Sequence, residues 1–481
     1  MSGSPRSSDD HIHPTLDDPV VAALSEGVGG PMGRRGAGHP WWTPTRVLLL
    51  LTAIAFALGM VQKSGCYERY WVYDDHRYTH MCYSDLPYLY TGRGLVELAW
   101  PYSDDRQVRD RYDVMEYPVG ISLFAYGAAW VTHWVTGSPE VSVRADEPAG
   151  DLVGTAQVKK EIRAFVIVNA LIFAALALLS AWLLAGVHPR RPWDAAAFAV
   201  SPALVLTGLI NWDMLAVVLV AGALWTFARS RPVATGVLIG LGAATKLYPL
   251  FLLGPVALIC LRERRYRELV DTTLAAGGAW LLLNAPAYLS GSAEWKVFWT
   301  FNSGRGPDLG SLWLVLSQAA HTTISASTVN HWSWAFFALW CVGVAVLAFR
   351  APTTPRLAQL GFLVMVGFVL VNKVYSPQYV LWLLPLAVLA RPRWRDQLVW
   401  QASEVVYFAS VWWYLGGDLQ PAGGDDVTTY WLAILIRVAG ELYLAFFVVR
   451  DILWPRYDPV RADPVGDEPQ AMTTRSNVVA V

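Results

Sequence analysis

From 309 to 349 the chain carries no Asp, Glu, Lys or Arg. An uncharged stretch of that length must fill a core or face lipid, and in lipid its backbone polar groups have to be satisfied within the fold. Comparable apolar runs recur at 46–62, 118–136, 163–187, 195–210, 213–228, 233–261, 269–288, 357–371, 378–390, 397–415 and 430–449, with 332–349 closing the first stretch. Only 16% of the 481 residues are charged and 54% are hydrophobic, where a soluble domain is nearer a quarter charged. A soluble enzyme and a disordered protein are excluded. A net charge of −1 removes the electrostatic case for a nucleic-acid partner. The reading is an all-α polytopic membrane protein with about 11–14 transmembrane helices, counted at roughly 20 residues per 30 Å of hydrocarbon.

Three stretches surround and divide these runs. Residues 1–45 read as a disordered cytoplasmic tail without a signal peptide, 46–450 as the transmembrane domain, and 451–481 as a polar C-terminal tail. The run 233–261 is too long for one simple span and carries Lys246 in its middle, so it reads as two short helices meeting near one membrane face. The segment 311–322 reads as an additional short or re-entrant helix. Basic loops at His188-Pro-Arg-Arg-Pro, Arg229-Ser-Arg-Pro, Arg262-Glu-Arg-Arg-Tyr-Arg and Arg391-Pro-Arg-Trp-Arg belong on the cytoplasmic side. Asn211-Trp-Asp213, 302–308, 372–378 and the acidic 418–426 stretch then share the outer face. One conflict remains: the runs 118–136, 163–187 and 195–210 give an odd number of crossings where an even number is needed. One of them is re-entrant or does not cross.

The long first outer loop, 63–117, is rich in Tyr and Trp and interspersed with charge. That composition suits short helices in the headgroup zone. Cys66 and Cys82 fall in this loop sixteen residues apart and are placed either to form a disulfide or to remain free thiols. Asp85 is a candidate carboxylate for deprotonating a hydroxyl at the membrane surface, or one surface acid among several. Glu116-Tyr117-Pro118 marks the entry to the next helix, where an acid also suits the helix dipole. Lys246, inside an apolar run, is functional or paired by default. Asn211 and Asp213 either cap a helix or serve the site, and Asp213 is a candidate partner for Lys246. Lys373 and Arg305 are further cations near the inferred outer face. Trp412-Trp-Tyr reads as a membrane-belt anchor.

Three segments taken together resemble one family: Asp85 followed by Glu116-Tyr-Pro-Val-Gly; Ala243-Ala-Thr-Lys-Leu-Tyr-Pro-Leu; and Asn372-Lys-Val-Tyr-Ser-Pro-Gln-Tyr-Val-Leu-Trp-Leu-Leu-Pro. Their layout over roughly 45–450 resembles the GT-C glycosyltransferases, most of all the GT87 (DUF2029) group, which includes actinobacterial polyprenyl-phosphate-mannose-dependent α-mannosyltransferases. The resemblance implies a GT-C helical bundle with juxtamembrane helices in the first outer loop, in the plasma membrane, with its active site on the extracytoplasmic face. It implies inverting transfer of a sugar, mannose by the nearest likeness, from a polyprenyl-phosphate donor to an envelope glycolipid or glycan acceptor. Asp85 is the position matching the general base. Lys246, Lys373 and Arg305 are the candidate contacts to the donor phosphate. Glu116, Tyr117, Asn211, Asp213, Tyr375, Gln378 and Tyr379 are the candidate sugar or acceptor contacts. No metal and no other cofactor is implied. The competing readings are a lipid or solute transporter or flippase, which broken helices would also fit, and a non-catalytic envelope-assembly scaffold.

Overall fold

The computed structural model describes residues 41–67, 76–139, 141–419 and 427–462. The tail 1–40, the segments 68–75 and 420–426, residue 140, and the end 463–481 lie outside the described residues. So does most of the acidic 418–426 stretch. Among the described residues every regular element is helical, as the charge-poor runs require. Four helices are long and apolar enough to cross a membrane: α1 (Pro44–Tyr67), α4 (Ala156–Ala185), α12 (Ala326–Arg350) and α16 (Thr428–Leu453). Shorter apolar helices fill the space between them: α6 (Asp213–Phe227), α7 (Pro232–Thr245), α8 (Leu253–Arg262), α13 (Leu357–Val371) and α14 (Val380–Ala390). The remaining elements used below are α2 (Asp85–Gly92), α3 (Val119–Thr136), α5 (Pro202–Thr207), α9 (Tyr266–Ser290), α10 (Ser292–Gly304), α11 (Leu312–Ala319) and α15 (Trp394–Leu415).

The centre of the bundle is α13 and α14. Every residue of α14 is buried, and nearly every residue of α13. Lipid tails are as apolar as these side chains, so burial among helices gains little from leaving lipid. Close packing has to hold the helices together. The pair α7 and α9 shows how: a Cβ on Gly236 or Gly240 would sit 2.2 Å from the backbone oxygen of Thr272 or Ala276. Only glycine at both positions lets these two backbones touch.

The bundle has two chemically distinct ends. At one end arginines close off helix termini. Arg229 Nη2 donates to Gly186 O at 2.9 Å, Arg262 Nη2 to Ala351 O at 2.6 Å, and Arg356 to Leu389 O and Ala390 O at 2.5 and 2.9 Å. There Arg391 is wholly buried, with Nε 2.8 Å from Asp396 and Nη1 2.6 Å from Asp451. Asp458 receives Arg356 and Gln359 at 2.8 and 3.1 Å. The helix of α16 continues through Leu453, into the stretch read from sequence as polar tail, and Asp458 folds back beneath α13. The opposite end holds Asp85, Asp213, Lys246 and Lys373.

α3 resolves the odd crossing. It begins beside Asp85, to which Tyr117 donates. It ends with His133 facing Tyr90, ring centres 6.5 Å apart, and with Thr136 O accepting from Lys160 Nζ at 3.0 Å. Asp85 and Tyr90 belong to the same eight-residue helix, α2, which is only about 12 Å long at 1.5 Å per residue. Both ends of α3 therefore stay on the Asp85 side, and 118–136 does not cross. From there α4 runs to the arginine end, the segment containing α5 returns, and α6 starts at Asp213. The run 233–261 is divided as its length demands: α7 stops at Thr245, Lys246 is extended (φ −146°, ψ 146°), and helix resumes from Tyr248. The segment 311–322 contains α11.

Candidate active site

α2 carries Asp85 at its first position because Ser84 caps it. Ser84 is extended and its Oγ accepts from Leu86 N at 3.4 Å. The same hydroxyl donates to Leu209 O at 2.8 Å, and Asp85 N donates to Ile210 O at 2.7 Å. The loop is thereby pinned to the end of the segment that leads into α6. Cys66, in the last turn of α1, is disulfide-bonded to Cys82 with Cα atoms 5.9 Å apart.

Asp85 Oδ2 accepts from the Tyr117 hydroxyl at 2.6 Å. Asn211 Nδ2 reaches the same hydroxyl at 3.4 Å, and Asn211 Oδ1 accepts from Asp213 N at 3.0 Å. Asn211 thus braces the turn into α6 and lies within reach of the Tyr117 hydroxyl. Asp213 is wholly buried and pairs with Lys246 Nζ at 2.9 Å. Its carboxylate has no other ionic partner among the described residues. Lys246 Nζ also lies 4.7 Å from the centre of the Tyr117 ring and 5.7 Å from that of Trp382. Tyr379 stacks on Trp382 at 3.6 Å, and Tyr248 stacks on Trp382 at 4.8 Å. An aromatic wall therefore backs the lysine, and cation–π contact favours its charged form. Burial pushes the Asp85 carboxyl above the ordinary range. Hydrogen bonds from Tyr117 and Tyr83 and the charge of Lys246 pull it back, and Asp213 adds to the rise.

Lys373 and Arg305 form a second group. Lys373 Nζ donates to Asn330 Oδ1 at 2.6 Å and to Ser303 O at 3.3 Å. Burial and the Arg305 charge push its pKa down. Arg305 pairs with Asp308. Beside them a cleft of about 710 Å³ opens between α10 and α12, lined by Ser303, Ser327, Asn330, His331, Trp334 and Ala335. Asp85, Asp213, Arg305 and Asp308 all act electrostatically on the Tyr379 hydroxyl, so Tyr379 stands between the two groups.

Two candidates read from sequence, Glu116 and Tyr375, are engaged elsewhere. Glu116 is held by Arg93 through two hydrogen bonds of 2.8 Å and braces the loop instead of facing Lys246. Tyr375 is buried, its hydroxyl bonded to Glu441 and its ring under the Arg437 guanidinium at 3.3 Å from the centre. Arg437 also takes Tyr375 O at 2.7 Å, so this tyrosine anchors the 372–378 turn. Gln378 is half-buried at the start of the same turn-to-helix step. Trp412, read as a belt anchor, is 3% exposed and lies under Tyr83 at 5.3 Å, supporting the loop that carries Asp85. Sequence reasoning passed over Lys63, which is buried in α1 and donates to Tyr83 O at 2.9 Å. An isolated lysine three residues before Cys66, in an otherwise uncharged run, was the available signal. Among the described residues no three His, Cys, Asp or Glu side chains converge as metal ligands.

The fold and the site define an all-α polytopic membrane protein with a carboxylate and a lysine–aspartate pair gathered at one end. Residues 155–377 match the family model of Glycosyltransferase family 87, and that match supports glycosyl transfer as the activity. It takes in Asn211, Asp213, Lys246, Arg305, Lys373 and Tyr375, and stops short of Asp85, Tyr117, Gln378 and Tyr379. No curated protein matches the chain.

Proposed function

We propose that this chain transfers a sugar, mannose in the resemblance its sequence carries, from a polyprenyl-phosphate donor to an envelope glycolipid or glycan on the extracytoplasmic face of the plasma membrane. The observation that carries the reading is the half-buried Asp85 carboxylate, held by Tyr117 and faced by Lys246. Asp85 takes the proton of the acceptor hydroxyl as that oxygen attacks the anomeric carbon. The bond from anomeric carbon to phosphate oxygen breaks, its electron pair leaves with the lipid phosphate, and the configuration inverts. The proton then passes from Asp85 to water. The transition state has oxocarbenium character, by analogy with glycosidase chemistry.

The leaving phosphate gains charge and needs cations aimed at it. Lys246 is the cation whose charge acts on Asp85 most strongly, and the phosphate must lie within one sugar ring of the base. Lys373 offers a second contact, since an ammonium has three protons and two of its are taken by uncharged acceptors. Arg305 is already neutralised by Asp308 and contributes less. Tyr117, Asn211, Asp213, Gln378 and Tyr379 are assigned to the sugar and acceptor hydroxyls. Glu116 and Tyr375 shape the site from behind. The reading assigns no metal or other cofactor. The arginine-closed end is the cytoplasmic one under the positive-inside rule, which supports the outward orientation.

The test supplies radiolabelled polyprenyl-phosphate-mannose and an envelope glycolipid extract to the purified protein in lipid, beside its Asp85→Asn variant. Label is expected in a glycolipid with the wild type alone. Equal transfer by both proteins would remove Asp85 as the base. Lipid translocation with no transfer product would overturn the enzyme reading in favour of a flippase.

A further inference from the structure

We infer that Lys63 is a positioning residue for Asp85, holding the loop that carries the base and supplying the positive charge behind it. The inference rests on the reading of Asp85 as the base. Three ties join the last turns of α1 to the three residues that lead into Ser84. Gln62 Nε2 donates to Met81 O at 2.5 Å, the disulfide joins Cys66 to Cys82, and Lys63 Nζ donates to Tyr83 O at 2.9 Å. The segment needs holding. Met81 sits in the left-handed region at φ 52°, which a residue with a long side chain seldom adopts. Met81 is the turn that aims the chain from α1 back toward the bundle.

Two of these ties are electrically neutral, and the third is not. Lys63 is 1% exposed and has no carboxylate within ion-pair distance among the described residues. A buried ammonium whose only hydrogen-bond acceptor is one carbonyl is costly unless a negative charge lies near. Against that burial acts the charge of Asp85, two residues beyond the carbonyl that Lys63 holds. A backbone carbonyl could be held by any neutral donor, so a lysine here is best explained by the charge. The groups that interact with Asp85 are Tyr83 on its own segment, Tyr88 on α2, Tyr117 ahead of α3, Asp213 on α6, Lys246 beyond α7 and Tyr379 ahead of α14, and the Asp85 charge reaches Lys63 on α1. The Lys246 charge is shared with Asp213 and with the leaving phosphate, whereas the Lys63 charge has no such competitor. Lys63 therefore keeps Asp85 ionised when the donor arrives and Lys246 turns to the phosphate.

The test uses the full chain in lipid and compares wild type with Lys63→Met, Lys63→Arg and Lys63→Gln, the last retaining a donor without the charge. The readouts are the pH–rate profile, kcat and KM for the lipid donor, and blocked-thiol labelling to confirm that Cys66 and Cys82 remain joined. In Lys63→Met the acid limb should move up by on the order of one pH unit. Below both limbs the rate should fall by on the order of tenfold, with donor KM unchanged. Lys63→Gln should behave like Lys63→Met, and Lys63→Arg should return the limb toward wild type. If Lys63→Met fails to fold, Lys63→Gln carries the same comparison. An unmoved limb in the uncharged variants, or equal loss in all three, would overturn the inference while leaving the base in place. Activity in Asp85→Asn would remove the base itself, so the two failures are distinguishable.

Discussion

The two ends of the bundle use buried charge in opposite ways. At the arginine end each acid is matched and enclosed. Arg391 bridges Asp396 and Asp451, and Asp458 is gripped by Arg356 and Gln359, all with little or no exposure. At the Asp85 end two carboxylates face one shared lysine, a second lysine bonds, among the described residues, to a carbonyl alone, and a tyrosine hydroxyl occupies one carboxylate oxygen. Charges matched by the protein and shut away from solvent have little left for a ligand. Charges satisfied in part retain lone pairs and protons for one. The first arrangement stabilises and the second binds, although the residue types are the same.

That contrast can be broken most decisively at Asp85. Asp85→Asn should lower transfer by about 10²–10⁴-fold while leaving thermal unfolding unchanged, as measured by radiolabel transfer beside a melting curve. The mirror substitution at the other end is Arg391→Met. It removes the buried cation that Asp396 and Asp451 share and leaves each with only a more exposed arginine, Arg395 or Arg450; breaking a buried pair costs up to about 3–5 kcal/mol. A lowered melting temperature with normal kcat in the surviving protein is the expected outcome. Cys66→Ser releases a loop of sequence separation 16, for which chain entropy gives about 3 kcal/mol. Here stability and transfer should fall together, because the same tie holds Asp85.

Two smaller effects sharpen the comparison. Burial holds the Asp85 carboxyl above its ordinary pKa, and a base works only when ionised. Transfer should therefore be lost as pH falls, and lost at a higher pH than a free carboxylate would dictate. A pH–rate profile whose acid limb sits in the ordinary aspartate range would show that the charges around it outweigh burial. Glu116→Gln removes a partly exposed pair with Arg93, worth about 0–1 kcal/mol. It should change donor and acceptor KM by less than about twofold; a large rise in acceptor KM would return Glu116 to the site.

The helical membrane fold was legible in the spacing of uncharged runs, and so was the break at Lys246, because a lysine in mid-run is too costly to be incidental. The pairing of Lys246 with Asp213 was one of the options that cost left open. What composition could not reveal was direction. Glu116 and Tyr117 are neighbours in the chain, yet one turns to Arg93 and the other to Asp85. Tyr375 stands in the most recognisable motif but spends its hydroxyl on Glu441, 66 residues further along the chain. Trp412 looked like a lipid anchor and is a buried support for the Asp85 loop. Each of these depends on which helix lies opposite, a property of the assembled bundle and not of a local pattern.

The path of α3 has a practical bearing on how this protein is handled at the bench. Hydropathy counting takes 118–136 as a crossing, and a topology drawn that way transposes every loop downstream. Epitope tags, cysteine-accessibility probes and fusion reporters placed on such a map would each report from the opposite compartment. A reporter joined just after Gly137 and another placed in the first outer loop should give the same signal, since both ends of α3 rest against α2.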